Sequence, residues 1–129
     1  MRETAMKLYE EGQLNCSQCI IMAAEKKYKL CIPMQSIEMC KCVGHGFGVR
    51  NICCALVGGI MVMGLLFDGE IATQLRVMLL DALSQKYGSI NCGVLIKKVR
   101  NDCGIIVGDV AELTQLIIED NKKLISRKK

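Results

Sequence analysis

The sequence predicts an all-α protein, a single compact helical bundle of about six to seven helices over residues 1–129, with a glycine-rich loop before the central helix. Three observations carry this expectation. Apolar residues recur at three- and four-residue spacing, and no alternating strand series interrupts them. Eight methionines, aromatic residues at only 4% and no tryptophan describe an aliphatic, adaptable core of packed helices. Finally, an asparagine or Asn-Asp stands just ahead of a cysteine four times, at Asn15-Cys16, Asn51-Ile52-Cys53-Cys54, Asn91-Cys92 and Asn101-Asp102-Cys103. Asn is a preferred helix N-cap, so each of these marks a helix start. With 129 residues, 51% of them hydrophobic, one domain with a substantial core is expected.

Taken in order, residues 3–11 read as a short helix with Ala5, Met6, Leu8 and Tyr9 on a partly apolar face, stopped by Gly12. From Asn15 the positions Cys16, Cys19, Ile20, Ala23 and Ala24 form an inward stripe running to about Leu30, with Glu25, Lys26 and Lys27 outside. Pro33 opens a third short helix, with Ser36 as another possible cap, through Cys40 and Cys42. The loop Gly44-His45-Gly46-Phe47-Gly48-Val49-Arg50 follows, and it lacks the Gly-Lys-Ser/Thr of a phosphate-binding loop. Asn51 is expected to cap the central helix through about Phe67, where Gly58 and Gly59 let a neighbouring backbone approach. Residues 70–87 form a long amphipathic helix with Ile71, Leu75, Met78, Leu79 and Ala82 inward. Ser89 or Asn91 starts a short helix through Arg100. The last helix is expected from Val110 to about Arg127, with Leu113, Leu116, Ile117 and Leu124 on one face.

The same sequence narrows the function classes. Residues 51–67 are uncharged but fall short of about 20 apolar residues, so a buried helix is expected and no membrane span. The net charge of +4 is scattered over Lys26-Lys27-Lys29, Lys97-Lys98-Arg100 and Arg127-Lys128-Lys129. With aromatics at 4%, this does not make a nucleic-acid surface. No apolar signal-peptide segment follows the first basic residue, which predicts a cytoplasmic protein. In that reducing compartment dense cysteine points to metal ligation or redox chemistry ahead of structural disulfides. A cysteine in the first turn of a helix meets unpaired N–H groups and the positive dipole end, which favour thiolate. Four such sites predict one convergent metal or redox centre.

The residues Asn15-Cys16-Ser17-Gln18, Cys54-Ala55-Leu56-Val57-Gly58-Gly59, Gly88-Ser89-Ile90-Asn91-Cys92 and Cys103, in this order, resemble the C-GCAxxG-C-C family of redox-active proteins. Gly46-Phe47-Gly48 and Gly58-Gly59-Ile60-Met61 are also similar to that family. The resemblance implies a small helical domain whose four characteristic cysteines are Cys16, Cys54, Cys92 and Cys103. A related domain accompanies the haem-binding part of split-Soret cytochrome c, which carries an iron–sulfur centre. The cofactor implied is therefore an iron–sulfur cluster, 2Fe-2S or 4Fe-4S, since the spacing matches none of the ferredoxin runs. The chain departs from the pattern twice. Cys53 replaces the glycine before the second cysteine, and Val49 and Arg50 stand where glycines are expected after Gly48.

On this reading the protein is a cytoplasmic iron–sulfur protein for electron transfer or redox sensing, with a redox partner protein. Cys19, Cys53, Cys40, Cys42 and His45 are further candidate ligands, each also explicable as packing or, for His45, as an exposed loop residue. Arg50 can stabilise a negatively charged cluster. An alternative is a metal-free thiol–disulfide oxidoreductase using Cys16/Cys19 or Cys53/Cys54. A structural zinc module comes third, because its short paired spacings are absent. No Ser-His-Asp pattern, Walker loop or paired-carboxylate motif assigns a substrate. Leu113, Ile117 and Leu124 offer a face for a homodimer.

Overall fold

The computed structural model describes residues 1–126 and is all-α. Its helices are α1 (Arg2–Glu10), α2 (Cys16–Tyr28), α3 (Met34–Glu38), α4 (Cys54–Leu66), α5 (Gly69–Tyr87), α6 (Cys92–Lys98) and α7 (Cys103–Asp120). A wide turn, Gly46–Arg50, precedes α4, and a 3₁₀ turn, Lys122–Leu124, follows α7. Every one of the four family-matched cysteines is the first residue of a helix.

The hydrophobic α4 is the centre of the bundle. It packs on α2, α5 and α7, while α1 lies across α7 and α2. Ile20, Leu56, Met63, Leu66, Leu79, Val107, Val110 and Ile118 are fully or almost fully buried between these helices. Each such side chain contributes roughly 1.5–3 kcal/mol of transfer free energy. Gly58 sets the closest approach, because a Cβ there would meet the Ser17 carbonyl oxygen at 2.6 Å and the Ser17 Cα at 2.9 Å. Asp109 of α7 is buried as an acceptor for both the Arg2 guanidinium and the Tyr87 hydroxyl, which fastens α1, α5 and α7 together.

Several boundaries differ from the sequence expectation. Asn51 does not cap α4. It lies three residues before Cys54 in an extended connection whose backbone pairs with the chain ahead of α6, through an antiparallel bridge between Ile52 and Asn91. That pairing consumes the backbone of residues 51–53, so the helix begins only at Cys54. The third helix ends at Glu38, and Cys40 and Cys42 sit in the turns beyond it. The last helix starts at Cys103, seven residues ahead of Val110, and ends at Asp120. Its start carries apolar Ile105, Ile106 and Val107, which the Val110 boundary left out. Met78, expected inward, is 49% exposed, and Leu83 and Ala72 are buried in its stead. On the final face Ile117 is buried, whereas Leu116 and Leu124 are exposed. Arg127, Lys128 and Lys129 lie outside the described residues.

Candidate redox site

Asn15 builds the first corner of the site. Its side chain accepts from the Gln18 N–H at 3.1 Å while Gln18 Oε1 accepts from the Asn15 N–H at 3.0 Å, a complete capping box. The same side chain donates to the Cys40 carbonyl at 2.8 Å, holding the 40–42 turn against α2. Asn91 repeats the cap for α6, accepting from the Val94 N–H at 3.2 Å. Asp102 occupies the cap position of α7 without a side-chain hydrogen bond, and Cys53 that of α4. Two of the four Asn signals are thus true side-chain caps.

The backbone bridge joins two of these corners. The Cys53 N–H donates to the Ile90 carbonyl at 2.9 Å and the Cys92 N–H to the Asn51 carbonyl at 2.5 Å. The wide turn closes on the same point. Gly46 has φ +60, its carbonyl accepts from the Asn51 N–H at 2.9 Å, and a Cβ there would meet the Asn51 nitrogen at 2.3 Å and the Cys92 Cβ at 2.8 Å. Only glycine fits such a position.

These contacts bring Cys16, Cys54, Cys92 and Cys103 around one cavity of about 370 Å³. Cys53, His45, Arg50 and Tyr9 line it as well, with Leu14, Leu95 and Ile106 among its apolar walls. Of the further candidate ligands, Cys53 and His45 therefore reach the cavity, and Cys19, Cys40 and Cys42 do not line it. Cys19 is fully buried in the core, and Cys42 is exposed. Among the described residues, no three Cys, His, Asp or Glu side chains stand close enough to share a single metal ion.

The thiols differ in acidity for definite reasons. Cys54 is lowered to about 6, chiefly because Cys16 shares its proton with it and, against the cost of burial, because Ser17 also donates. The Ser17 N–H reaches the Cys54 sulfur at 3.1 Å. The Cys54 sulfur therefore sits in the first turn of α2 as well as at the start of its own helix, and two helix N-termini favour its thiolate. Cys16 is pushed up in return by that shared hydrogen bond and by burial. Burial raises Cys53 to about 11, opposed by the Leu56 and Ala55 N–H groups, and Cys19 to about 12. Burial also raises Cys103, opposed by a hydrogen bond from Tyr9 and by the Arg50 charge.

Sequence reasoning gave Tyr9 only as part of an apolar face. Its hydroxyl is brought to Cys103 by the packing of α1 on α7, which no local pattern announces. The two departures from the family pattern have different consequences. Cys53 has φ −57 and needs no glycine, whereas Arg50 has φ +59, the left-handed region a glycine enters freely.

No helix among the described residues is long and apolar enough to cross a membrane. Neither curated proteins nor solved structures gave a match to this chain. The family model described as "Putative redox-active protein (C_GCAxxG_C_C)" matches residues 14–117, a span that includes all four helix-starting cysteines. On that match over most of its length, the chain belongs to the C_GCAxxG_C_C family of redox-active proteins.

Proposed function

We propose that this is a cytoplasmic iron–sulfur protein in which Cys16, Cys54, Cys92 and Cys103 hold one cluster for electron transfer or redox sensing. The observation that carries the reading is the convergence of four helix-starting cysteines on one cavity. The donor set fits the group, since iron–sulfur clusters are held by cysteine thiolates and a cluster with its ligands carries net negative charge. The first-turn N–H groups, the helix dipoles and Arg50 offset that charge. A single zinc ion fits less well, because a structural zinc site needs four ligands gathered at about 2.0–2.3 Å from one point. When bound, the cluster supplies one-electron transfer. The chain presents Cys54 as a thiolate near neutral pH, directs the Tyr9 hydroxyl to Cys103, and lines the cavity with Leu14, Leu95 and Ile106, which limit water.

The test is anaerobic purification with iron and acid-labile sulfide measured per chain beside the visible spectrum. Matching iron and sulfide with a brown chromophore, lost in Cys54→Ser, is the expected result. An unchanged spectrum in Cys54→Ser would reject this ligand set.

The shared proton of Cys16 and Cys54 favours one second reading, a metal-free thiol–disulfide oxidoreductase. The couple is then Cys16/Cys54, in place of the Cys16/Cys19 or Cys53/Cys54 pairs suggested by sequence spacing. The Cys54 thiolate would attack a substrate disulfide and release one thiolate. Cys16 would then pass its proton to that thiolate and resolve the mixed disulfide, leaving a Cys16–Cys54 disulfide and two reduced substrate sulfurs. A colourless, metal-free, folded protein whose Cys54 alkylates at pH 6–7 would favour this reading.

A further inference from the structure

Four sulfur-bearing side chains, Cys31, Met39, Cys40 and Met61, line a second cavity of about 220 Å³ that shares no residue with the cysteine site. The Cys40 Sγ lies 3.5 Å from the Met61 Sδ. The remaining wall is mainly aliphatic, and no Asp, Glu or His lines it. Cys40 is held in place from two sides. Its N–H donates to the Ile37 carbonyl at 3.1 Å, and its own carbonyl accepts from the Asn15 side chain at 2.8 Å.

The two methionines are not filling the core. Met39 is 79% exposed and Met61 45% exposed, and Cys31, exposed as well, lines the same cavity. Methionine ordinarily serves as a flexible filler of interior gaps, a role that neither position offers.

We propose that this cavity is a binding site for a soft monovalent cation, Cu(I), ligated by the Cys40 thiolate and the Met61 thioether, with the Met39 thioether completing the shell. Thiolate and thioether donors select Cu(I), whereas the lining holds none of the carboxylates that magnesium, calcium or manganese sites rely on, its one side-chain oxygen being the Ser36 hydroxyl. Binding exchanges the Cys40 proton for the cation. One thiolate with one Cu(I) is neutral, which suits walls built from Ile21, Ile32, Val62 and Leu65. The inference is independent of what the four-cysteine site holds.

The experiment titrates Cu(I), without oxygen, into the whole chain in the presence of bicinchoninic acid as a coloured competitor. Wild type is compared with Met39→Leu/Met61→Leu and with Cys40→Ser. The methionine double variant keeps all nine thiols and changes only exposed side chains, so its fold is preserved and the other cysteines still bind whatever Cu(I) they bind. The expected result is that wild type withdraws one more equivalent from the competitor than either variant, or holds that equivalent about ten-fold or more tightly. Equal withdrawal by wild type and the methionine variant would overturn the site. X-ray absorption at the copper edge of the loaded protein should show sulfur-only coordination, and oxygen or nitrogen ligation would overturn it as well.

Discussion

The Ser17 N–H donates to the Cys54 sulfur at 3.1 Å, and Gly58, one turn further along α4, lies against the carbonyl of that same Ser17. One residue of α2 therefore adds to the acidity of the central thiol, beside the larger effect of Cys16, and sets the distance between the two central helices. The family's glycine is needed four residues after its cysteine because both face the same strip of α2 backbone.

Replacing Gly58 by alanine should push the two backbones apart, since the new Cβ would stand 2.6 Å from a main-chain oxygen that cannot rotate away. A loss of about 1–3 kcal/mol in urea denaturation is expected. Cys54 should also lose acidity, seen as a rise in the midpoint of thiolate absorbance. Gly64→Ala is the control, because nothing lies within 4 Å of its added Cβ. It should be neutral or stabilise by about 0.5–1 kcal/mol.

The metal-free protein should gain stability as pH rises from about 6 towards 9. Cys54 titrates near 6 when folded, against an ordinary thiol value of 9.0, so in that window the unfolded chain binds the extra proton and the folded state is favoured with rising pH. Cys16 acts in the opposite sense. It is raised by the shared proton, so its contribution is present below the ordinary value and is lost as pH climbs beyond it. Denaturation midpoints from pH 5 to 10 should therefore peak near 9, and Cys54→Ser should flatten the rising limb. A rising limb unchanged in that variant would refute the assignment.

Arg50→Gly separates backbone strain from charge. Relief of the left-handed conformation at φ +59 should raise stability by roughly 1 kcal/mol. Losing the guanidinium should at the same time raise the Cys103 thiol further, because the Arg50 charge opposes the effect of burial there. Slower alkylation of Cys103 at fixed pH, read by peptide mass spectrometry, checks this.

Tyr87→Phe leaves one oxygen of buried Asp109 without its donor, although Arg2 still reaches the other. A cost of about 1–3 kcal/mol is expected in urea denaturation. Cysteine alkylation profiles should not move, since Tyr87 and Asp109 do not line the redox cavity.

Much of this was legible along the chain. The helical periods, the Asn15 capping box, the Gly58-Gly59 pair and the four ordered cysteines are local signals, and each has a local physical cause. The boundaries that failed were those set by distant partners. Asn51 looks like a cap, but its carbonyl is taken by the Cys92 N–H. Met78 fits the inward stripe of α5, but the helix turns Leu79 and Leu83 to the core and leaves Met78 outside.

The sequence by itself determined that the protein is helical, that Asn15 and Asn91 cap helices beginning at Cys16 and Cys92, and to which family it belongs. Capping, periodicity and motif order act over a few residues, so they can be read without knowing what packs where. The tertiary structure alone decided which thiols share a proton, which reach the cavity with Arg50 and Tyr9, and that Cys40 turns to Met61 in a different one. Those outcomes depend on contacts between residues 21 to 94 positions apart in the chain, and the packing of α1, α2, α4 and α7 selects them.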